Sequence, residues 1–175
     1  MNRVLLAQPL TSQAFAPYGT VLAVPTGAHG RPINSGNAER FNLVDDLQLG
    51  AEGGRPMLAL FRAQARRFPH AVTEMERHAL GSQSFVALGE RRFVIVVARA
   101  GAAPTSESLA AFVTDGRQGV TLAPGTWHHA LLTVEAGDFV VVERAGPVVD
   151  CDTVALAAPV VVALEDRAAA IASAR

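Results

Sequence analysis

The chain lacks lysine, and it has a single cysteine among its 175 residues. Because all 15 basic residues are arginine, a lysine Schiff base and the phosphate-binding lysine of a P-loop are both excluded. The lone Cys151 excludes an internal disulfide framework and is typical of a reducing compartment. The longest apolar tract, Val154–Leu164, is too short to span a bilayer, and the first residues lack the pattern of a signal peptide. These features predict a cytoplasmic protein with no membrane partner.

An excess of charge of either sign is also missing. The chain has 15 basic and 16 acidic residues, and its formal net charge is −1. No basic surplus is available to hold a phosphate backbone, which argues against a nucleic-acid partner. Half the residues are hydrophobic and 18% are charged, so wholesale disorder is excluded. The chain is predicted to act on a small molecule.

Short β-branched and aromatic runs, separated by 15 glycines and 10 prolines along the chain, predict an all-β sandwich or small barrel. The candidate strands are Thr20–Val24, Met57–Arg62, Thr73–His78, Gln83–Leu88, Arg92–Ala98, Gly119–Leu122, Ala130–Val134 and Phe139–Arg144. Phe93–Val97 is continuously apolar, as expected for a strand covered on both faces. Short helical segments are predicted at Thr11–Ala16 and Ser106–Phe112, and Gly27–Gly54 is loop-like.

The domain is predicted to comprise residues 1–152, followed by a C-terminal tail at 153–175. The Ala-rich segment Glu165–Ala174 favours a helix. Val160–Val162 would form an exposed apolar patch unless covered, so the tail is expected to pack on the domain or at a dimer interface.

Two histidine contexts stand out. If Thr73–His78 is a strand, its period of two places Glu74, Glu76 and His78 on one face. Taken alone, three polar residues on one face are as typical of a solvent-exposed outer face as of a functional site. A Pro-Gly turn at Gly125 precedes Trp127-His128-His129, where only one of the two adjacent histidines can point inward. That segment alone favours a surface histidine beside a core tryptophan.

The two contexts together outline the metal site of the cupins, in which His-x-His, a nearby Glu and a later Gly-x-x-His converge. In this chain Glu76 replaces the first histidine and Gln83 replaces the glutamate, whereas His78 and His128 match the pattern. Imidazole and carboxylate groups are sound ligands for a divalent ion, but a neutral amide is a poor one. Two alternatives stay open: a metal centre, or direct binding of a substrate with proton transfer by the same side chains.

Other polar residues are candidates for substrate binding. Arg62, Arg77 and Arg144 lie within apolar strand surroundings, where each could pair a structural carboxylate or clamp a substrate carboxylate. Asn34 and Ser35 supply amide, hydroxyl and backbone groups in a tight turn, although such turns often satisfy only their own backbone.

The sequence resembles the ureidoglycolate lyase family from about Val4 to Asp152. The segments that carry the resemblance are Ile33–Gly36, Met75–Phe85, Phe93–Ala98, Ala111–Phe112, Gly116–Val120, Gly125–His129 and Asp138–Arg144. The resemblance implies a cupin-like double-stranded β-helix that forms a homodimer and splits ureidoglycolate into glyoxylate and urea, in the degradation of allantoin and of purine nitrogen. It also implies an association with nickel.

Cleavage of ureidoglycolate is an elimination that needs a base for the hydroxyl proton and an acid for the departing nitrogen. Glu76, with a pKa raised by burial, or His78 is the predicted base, and His128 is the predicted acid. Gln83 is predicted to hold the ureido group and an arginine the carboxylate, while Glu76, His78 and His128 are the predicted ligands of any divalent ion. The alternatives are an amidohydrolase that releases ammonia, and a cupin-like module that binds a small carboxylic acid without catalysis.

Overall fold

A computed structural model describes residues 3–165, and it shows a chain built mainly of strands. Within this range the strands are β1 Arg3–Leu6, β2 Gln8–Pro9, β3 Gly19–Leu22, β4 Arg31–Ile33, β5 Ala38–Arg40, β6 Arg55–Ala63, β7 His70–Arg77, β8 Gln83–Ala87, β9 Phe93–Ala98, β10 Ala110–Val113, β11 Gly119–Leu122, β12 Trp127–His128, β13 Leu132–Thr133, β14 Gly137–Ala145 and β15 Asp152–Ala163. One short helix, α1, covers Ser12–Phe15, and single 3₁₀ turns lie at Asn34–Gly36, Ala51–Gly53 and Ser106–Ser108. None of the helices in residues 3–165 is long and apolar enough to cross a membrane.

The strands form two main sheets. The large sheet has the order β1-β15-β7-β12-β9-β10-β2, with β13 also paired to β9, and the small sheet has the order β3-β11-β8-β14-β6. β1 at one edge of the large sheet contacts β10 near the other edge, so this sheet is almost closed into a barrel. The prediction of an all-β, cupin-like barrel with a few short helical turns is confirmed.

Each face of β9 packs into a different core. Its residues Val94, Val96 and Ala98 belong to a cluster formed by the large sheet and residues that flank its strands, which we call the large-sheet core. Phe93, Ile95 and Val97 belong to a second cluster that includes side chains of both sheets, which we call the intersheet core. Every residue of β9 is buried, which confirms the prediction of a strand covered on both faces.

Each of the eight candidate strands matches an observed strand within a few residues, whereas β1 and β2 were not predicted and β4 and β5 form a small hairpin inside the predicted loop Gly27–Gly54. The helical segment predicted at Thr11–Ala16 contains α1, and Thr11 caps it, since its side chain accepts a hydrogen bond of 3.2 Å from the backbone N–H of Ala14. The predicted helix at Ser106–Phe112 is wrong beyond its first turn, because Ala110–Val113 pairs with β9 as strand β10. Burial of Phe112 in the intersheet core outweighs the local helical signal.

The segment beyond residue 152 differs from the predicted tail. Asp152–Ala163 is strand β15, which pairs antiparallel with β7 and parallel with β1 inside the large sheet. Val160 and Val162 are fully buried in the large-sheet core, so they form no exposed patch for a partner to cover. The predicted helix at Glu165–Ala174 lies, apart from Glu165, outside the described residues.

Candidate active site

The backbone register aligns two of the predicted site residues. His128 on β12 lies directly opposite Glu76 on β7 and opposite Val97 on β9. Residues that are directly opposite in neighbouring strands share a face of the sheet. Since Val97 belongs to the intersheet core, Glu76 and His128 also face the space between the two sheets.

The turn before β12 connects it to the end of β7. Gly125 has a φ of 78°, a left-handed conformation that glycine adopts readily, and its N–H donates a hydrogen bond of 2.7 Å to the carbonyl oxygen of His78. His78 directly follows the last residue of β7, so the strand ends one residue before the predicted end at His78. This hydrogen bond places His128, three residues after Gly125, beside His78.

Glu76, His78 and His128 therefore converge. Each offers one potential ligand atom, and these atoms lie within 4.8 Å of one another. The His128 Nε2 atom is 3.5 Å from Glu76 Oε1, and the two imidazole ring centroids are 5.3 Å apart. His128 is 2% exposed, whereas the other two are half-buried. These are the three residues that the sequence predicted as metal ligands.

The hydrogen bonds of the two histidines fix which ring nitrogen is available. His78 Nδ1 is 2.5 Å from the carbonyl oxygen of Asp150, and His128 Nδ1 is 3.0 Å from that of Thr126. A carbonyl only accepts, so each Nδ1 carries the proton and a neutral ring keeps its lone pair on Nε2. Both Nε2 atoms are buried without a hydrogen-bond partner.

Two imidazole nitrogens and a carboxylate are a donor set that a divalent first-row transition metal accepts. Backbone carbonyls that hold Nδ1 are the usual outer partners of metal-bound histidines. The unpartnered Nε2 atoms, together with the Glu76 carboxylate, therefore fit a divalent ion.

The charge state of Glu76 differs from the sequence expectation. The His128 imidazole, whose Nε2 lies 3.5 Å from Oε1, lowers the pKa of Glu76 below its usual 4.5, and this effect outweighs the opposing effect of burial. The carboxylate is therefore ionised at neutral pH. An ionised group of low pKa is a poor proton acceptor but a good ligand or counter-ion.

Asp150, which the sequence analysis did not identify, holds His78 in place. Besides the contact of its carbonyl with Nδ1, its Oδ1 accepts hydrogen bonds from the backbone N–H groups of Ala79 at 2.7 Å and Leu80 at 3.0 Å. Asp150 thus holds both the His78 ring and the backbone that directly follows it. No spacing or periodicity marks Asp150 in the sequence, because the contact depends on two loops that are distant along the chain.

Gln83 is buried at the start of β8, and its amide pairs with a second residue that the sequence analysis missed. Its Nε2 donates a hydrogen bond of 2.8 Å to Oε2 of Glu143 on β14, while its Oε1 is buried without a partner. Within residues 3–165, the buried side-chain polar atoms that lack a partner are this Oε1 and the two histidine Nε2 atoms. Glu143 could have been found from the period of β14, because Phe139 and Val141 precede it at inward positions.

A cavity of about 320 Å³ opens beside these groups, lined by Met57, His78, Ser82, Glu143, Arg144, Ala145, Gly146, Val148, Val149 and Asp150. This volume suits a small metabolite. Arg144 is the one of the three predicted arginines that lines it. Its guanidinium also donates hydrogen bonds to the carbonyl oxygens of Ala51, Glu52 and Val148, so it ties two loops to the rim of the cavity.

The other two predicted arginines are engaged elsewhere. Arg62 forms an exposed ion pair with Asp138 at 2.8 Å. Asp138 and Glu143 both lie on β14, about 17 Å apart when the rise per residue of an extended strand is used. Arg77 bonds to Asp152 at 2.8 Å and lies over the Trp127 ring at 4.6 Å, where Trp127 belongs to the large-sheet core.

Asn34 and Ser35 occupy an exposed turn between β4 and β5, in which both residues have a positive φ. Among the described residues, no side-chain hydrogen bond joins either of them to the cavity or to the cluster of Glu76, His78 and His128.

Comparison with known proteins agrees with the resemblance seen in the sequence. A family model described as ureidoglycolate lyase matches residues 2–163. The chain is 46% identical over 155 residues to a ureidoglycolate lyase of Burkholderia cepacia, across 87% of this chain and 86% of the relative. It is 44% identical over 151 residues to that of Pseudomonas syringae pv. syringae, across 86% of this chain and 88% of the relative.

Proposed function

The chain belongs to the ureidoglycolate lyase family, and from this premise we propose that it is a carbon–nitrogen lyase that cleaves ureidoglycolate to glyoxylate and urea. The observation that carries the proposal is the convergence of Glu76, His78 and His128, with two unpartnered imidazole nitrogens, near a cavity of metabolite size.

The reaction is an elimination that consumes no water. The hydroxyl proton of the substrate is removed, the carbon–oxygen bond becomes the carbonyl of glyoxylate, and the carbon–nitrogen bond breaks. The bonding electrons pass to the ureido nitrogen, which takes up a proton and leaves as urea. A single base and a single acid therefore suffice.

His78 is the base and His128 the acid in this proposal. The neutral His78 ring holds its proton on Nδ1 against Asp150, so its Nε2 is free to accept the hydroxyl proton. The ionised Glu76 lies 3.5 Å from His128 Nε2, the ring nitrogen that delivers the proton to the departing ureido nitrogen in this proposal. Glu76 is thus a counter-ion in this assignment, because its lowered pKa makes it a weak base.

The substrate carboxylate is bound by Arg144 in this proposal, since its guanidinium lines the cavity together with His78. The ureido group lies toward Gln83 on β8, the strand that pairs with the Arg144 strand β14 in the small sheet. The two polar ends of the substrate then have separate partners, which orients the bond to be broken.

Nickel, which the family resemblance implies, would be held by Glu76, His78 and His128, and this is the alternative to proton transfer by the two histidines. When bound, a divalent ion supplies Lewis-acid stabilisation of negative charge on the substrate oxygens. With their Nε2 atoms used as ligands, the histidines would hold the ion and would not transfer protons through those atoms.

The test compares metal-stripped and nickel-reloaded protein incubated with ureidoglycolate, with glyoxylate, urea and ammonia measured separately. Equal release of glyoxylate and urea supports the lyase. Activity that survives stripping assigns proton transfer to the histidines, whereas activity lost and then restored by nickel assigns them to the metal. Ammonia in place of urea would identify an amidohydrolase, and glyoxylate binding without turnover would identify a binding module.

A homodimer formed through the outer face of the small sheet is proposed as the assembly. On this face Leu60, Val140 and Val86 lie in one row across β6, β14 and β8, and Leu58 extends the apolar surface. Leu58 is 72% exposed and Leu60 is 58% exposed. Outer faces of antiparallel sheets are usually polar, so an apolar one favours contact with a second copy.

The cytoplasm is proposed as the location, because the exposed thiol of Cys151 suits a reducing compartment. Degradation of allantoin is proposed as the pathway, since it is the source of ureidoglycolate that the family resemblance implies.

A further inference from the structure

Gln83 and Glu143 extend the intersheet core into the site. Phe85 on β8 lies opposite Val141 on β14, and both are buried in that core. Gln83 precedes Phe85 by two residues and Glu143 follows Val141 by two, so both point to the same side at the same end of the antiparallel pair. The interior therefore changes from apolar to polar at this end.

The Glu143 carboxylate determines how the Gln83 amide is turned. A carboxylate offers only acceptors, so the amide NH₂ must face Glu143 Oε2, at 2.8 Å. The amide oxygen is then directed away from Glu143. Gln83 is 6% exposed and its Oε1 lacks a partner, which leaves a buried acceptor that a ligand N–H can satisfy.

Glu143 lies beside the proposed base, because it lines the same cavity as His78. Gln83 is linked to this cavity through its hydrogen bond to Glu143. The ureido group of ureidoglycolate carries an NH and an NH₂, and apart from the hydroxyl it supplies all the hydrogen-bond donors of the ionised substrate. The oxygen acceptors of Gln83 and Glu143 match this group better than they match the carboxylate.

We infer that Glu143 is a positioning residue, which holds Gln83 so that Oε1 accepts a hydrogen bond from the ureido N–H groups; this inference rests on the proposed function. The Gln83–Glu143 pair then selects ligands with a ureido group over ligands that have only a carboxylate. A site with an acceptor directed at a ligand N–H disfavours analogues without that donor, because the acceptor stays unpaired.

The test uses two ligands that the enzyme does not cleave: oxalurate, which has a ureido group and a carboxylate, and glyoxylate, which lacks the ureido group. Binding of each to the full-length protein is measured by calorimetry. In Glu143→Gln the partner can donate as well as accept, so the Gln83 amide loses its fixed orientation. We expect the Kd of oxalurate to rise about 10-fold or more, as for the loss of one buried hydrogen bond, while the Kd of glyoxylate changes less than about twofold.

The double variant Gln83→Glu/Glu143→Gln restores a donor–acceptor pair and keeps an acceptor at position 83, so it should recover most of the lost oxalurate affinity. Glu90→Gln is the matched control, since it removes an exposed carboxylate paired with Arg117 at the surface and should leave both Kd values unchanged.

The inference would be overturned if Glu143→Gln raised the Kd of oxalurate and of glyoxylate equally. It would also be overturned if the double variant bound oxalurate no more tightly than Glu143→Gln. Failure of the wild-type protein to release glyoxylate and urea would instead refute the proposed function. The two failures can be distinguished, because calorimetry measures binding and does not depend on turnover.

Discussion

At the scale of single residues, the site depends on two imidazoles whose Nδ1 atoms are already engaged. The carbonyls of Asp150 and Thr126 hold these atoms, and the remaining Nε2 atoms meet near the Glu76 carboxylate. Such an arrangement fixes the tautomer and the direction of each lone pair before a ligand arrives, which is the preorganisation that acid–base and metal sites both require.

Substitution of His78 by alanine removes the proposed base. We expect His78→Ala to lower kcat by about 10²–10⁴-fold, the usual contribution of a general base, with a much smaller change in KM. Steady-state formation of glyoxylate measures both constants. His29→Ala, at an exposed loop histidine, is the matched control and should retain wild-type kinetics. Normal turnover in His78→Ala would remove this residue from the mechanism.

The lowered pKa of Glu76 makes a prediction about stability and pH. The pKa in the folded state lies below its usual value of 4.5, so the ionised carboxylate stabilises the folded protein fully above that pH. This stabilisation is lost as the pH falls through the folded-state pKa. In guanidinium unfolding of metal-free protein, the wild type should exceed Glu76→Gln in stability near neutral pH, and the difference should shrink below pH 4.5.

The same comparison in a His128→Ala background tests the cause. His128 supplies the largest effect on Glu76, so the pH-dependent part of the difference should largely disappear without it. A difference that instead grows as the pH falls would show that burial, and not the histidine, dominates the pKa of Glu76.

At the scale of elements, the turn at Ala123–Thr126 connects the two histidine segments. Gly125 has a positive φ, and a Cβ there would lie 3.3 Å from the Cβ of Ala100. We expect Gly125→Ala to lower the free energy of unfolding by about 1–2 kcal/mol, the strain of a side chain in the left-handed region. It should also lower kcat by displacing His128.

Gly27→Ala is the control that separates the effect of backbone strain on stability from the effect of the Gly125 turn on the position of His128. Gly27 has a φ of 73° but open space around its Cβ position and lies in a surface loop. It should show a similar loss of stability in guanidinium unfolding with no loss of kcat. Equal kinetic effects of the two substitutions would contradict a specific role for the turn at Gly125.

Strand β15 is expected to be essential for the large-sheet core. Val160→Ala and Val162→Ala each remove two buried methyl groups and should lower the free energy of unfolding by about 1–3 kcal/mol. Val24→Ala, at a 66% exposed position, is the control and should change stability by less than about 0.5 kcal/mol. Unchanged stability of the two core variants would show that β15 is not part of the cooperative fold.

Local patterns predicted much of this architecture, because alternation and turn residues act over a few positions. The strand around Glu76 and the turn at Gly125 were visible in this way. The role of Asp150 was not, since its contact with His78 joins residues 72 positions apart. Strand β15 was also missed, because a register shift around Pro159 interrupts its pairing with β7 and its alternation.

At the scale of the whole molecule, the small sheet has one face on the intersheet core and one apolar outer face. If the outer face is the dimer interface, Leu60→Glu places a charge in its centre and should convert the wild-type dimer to a monomer of 18.3 kDa. Light scattering at several concentrations measures the mass. Val24→Glu, at an exposed position outside this face, is the control. A wild-type protein that is monomeric at all concentrations would contradict the proposed assembly.

The large sheet pairs its first strand with its last, since β1 lies beside β15 in parallel register from Arg3↔Val160 to Leu6↔Ala163. During synthesis on the ribosome, β1 therefore emerges long before the strand that completes its hydrogen bonds. The large sheet can complete its pairing only after Ala163 has left the exit tunnel, so this step comes late relative to the synthesis of β1. Until then the nascent chain presents open sheet edges, the surfaces that chaperones protect.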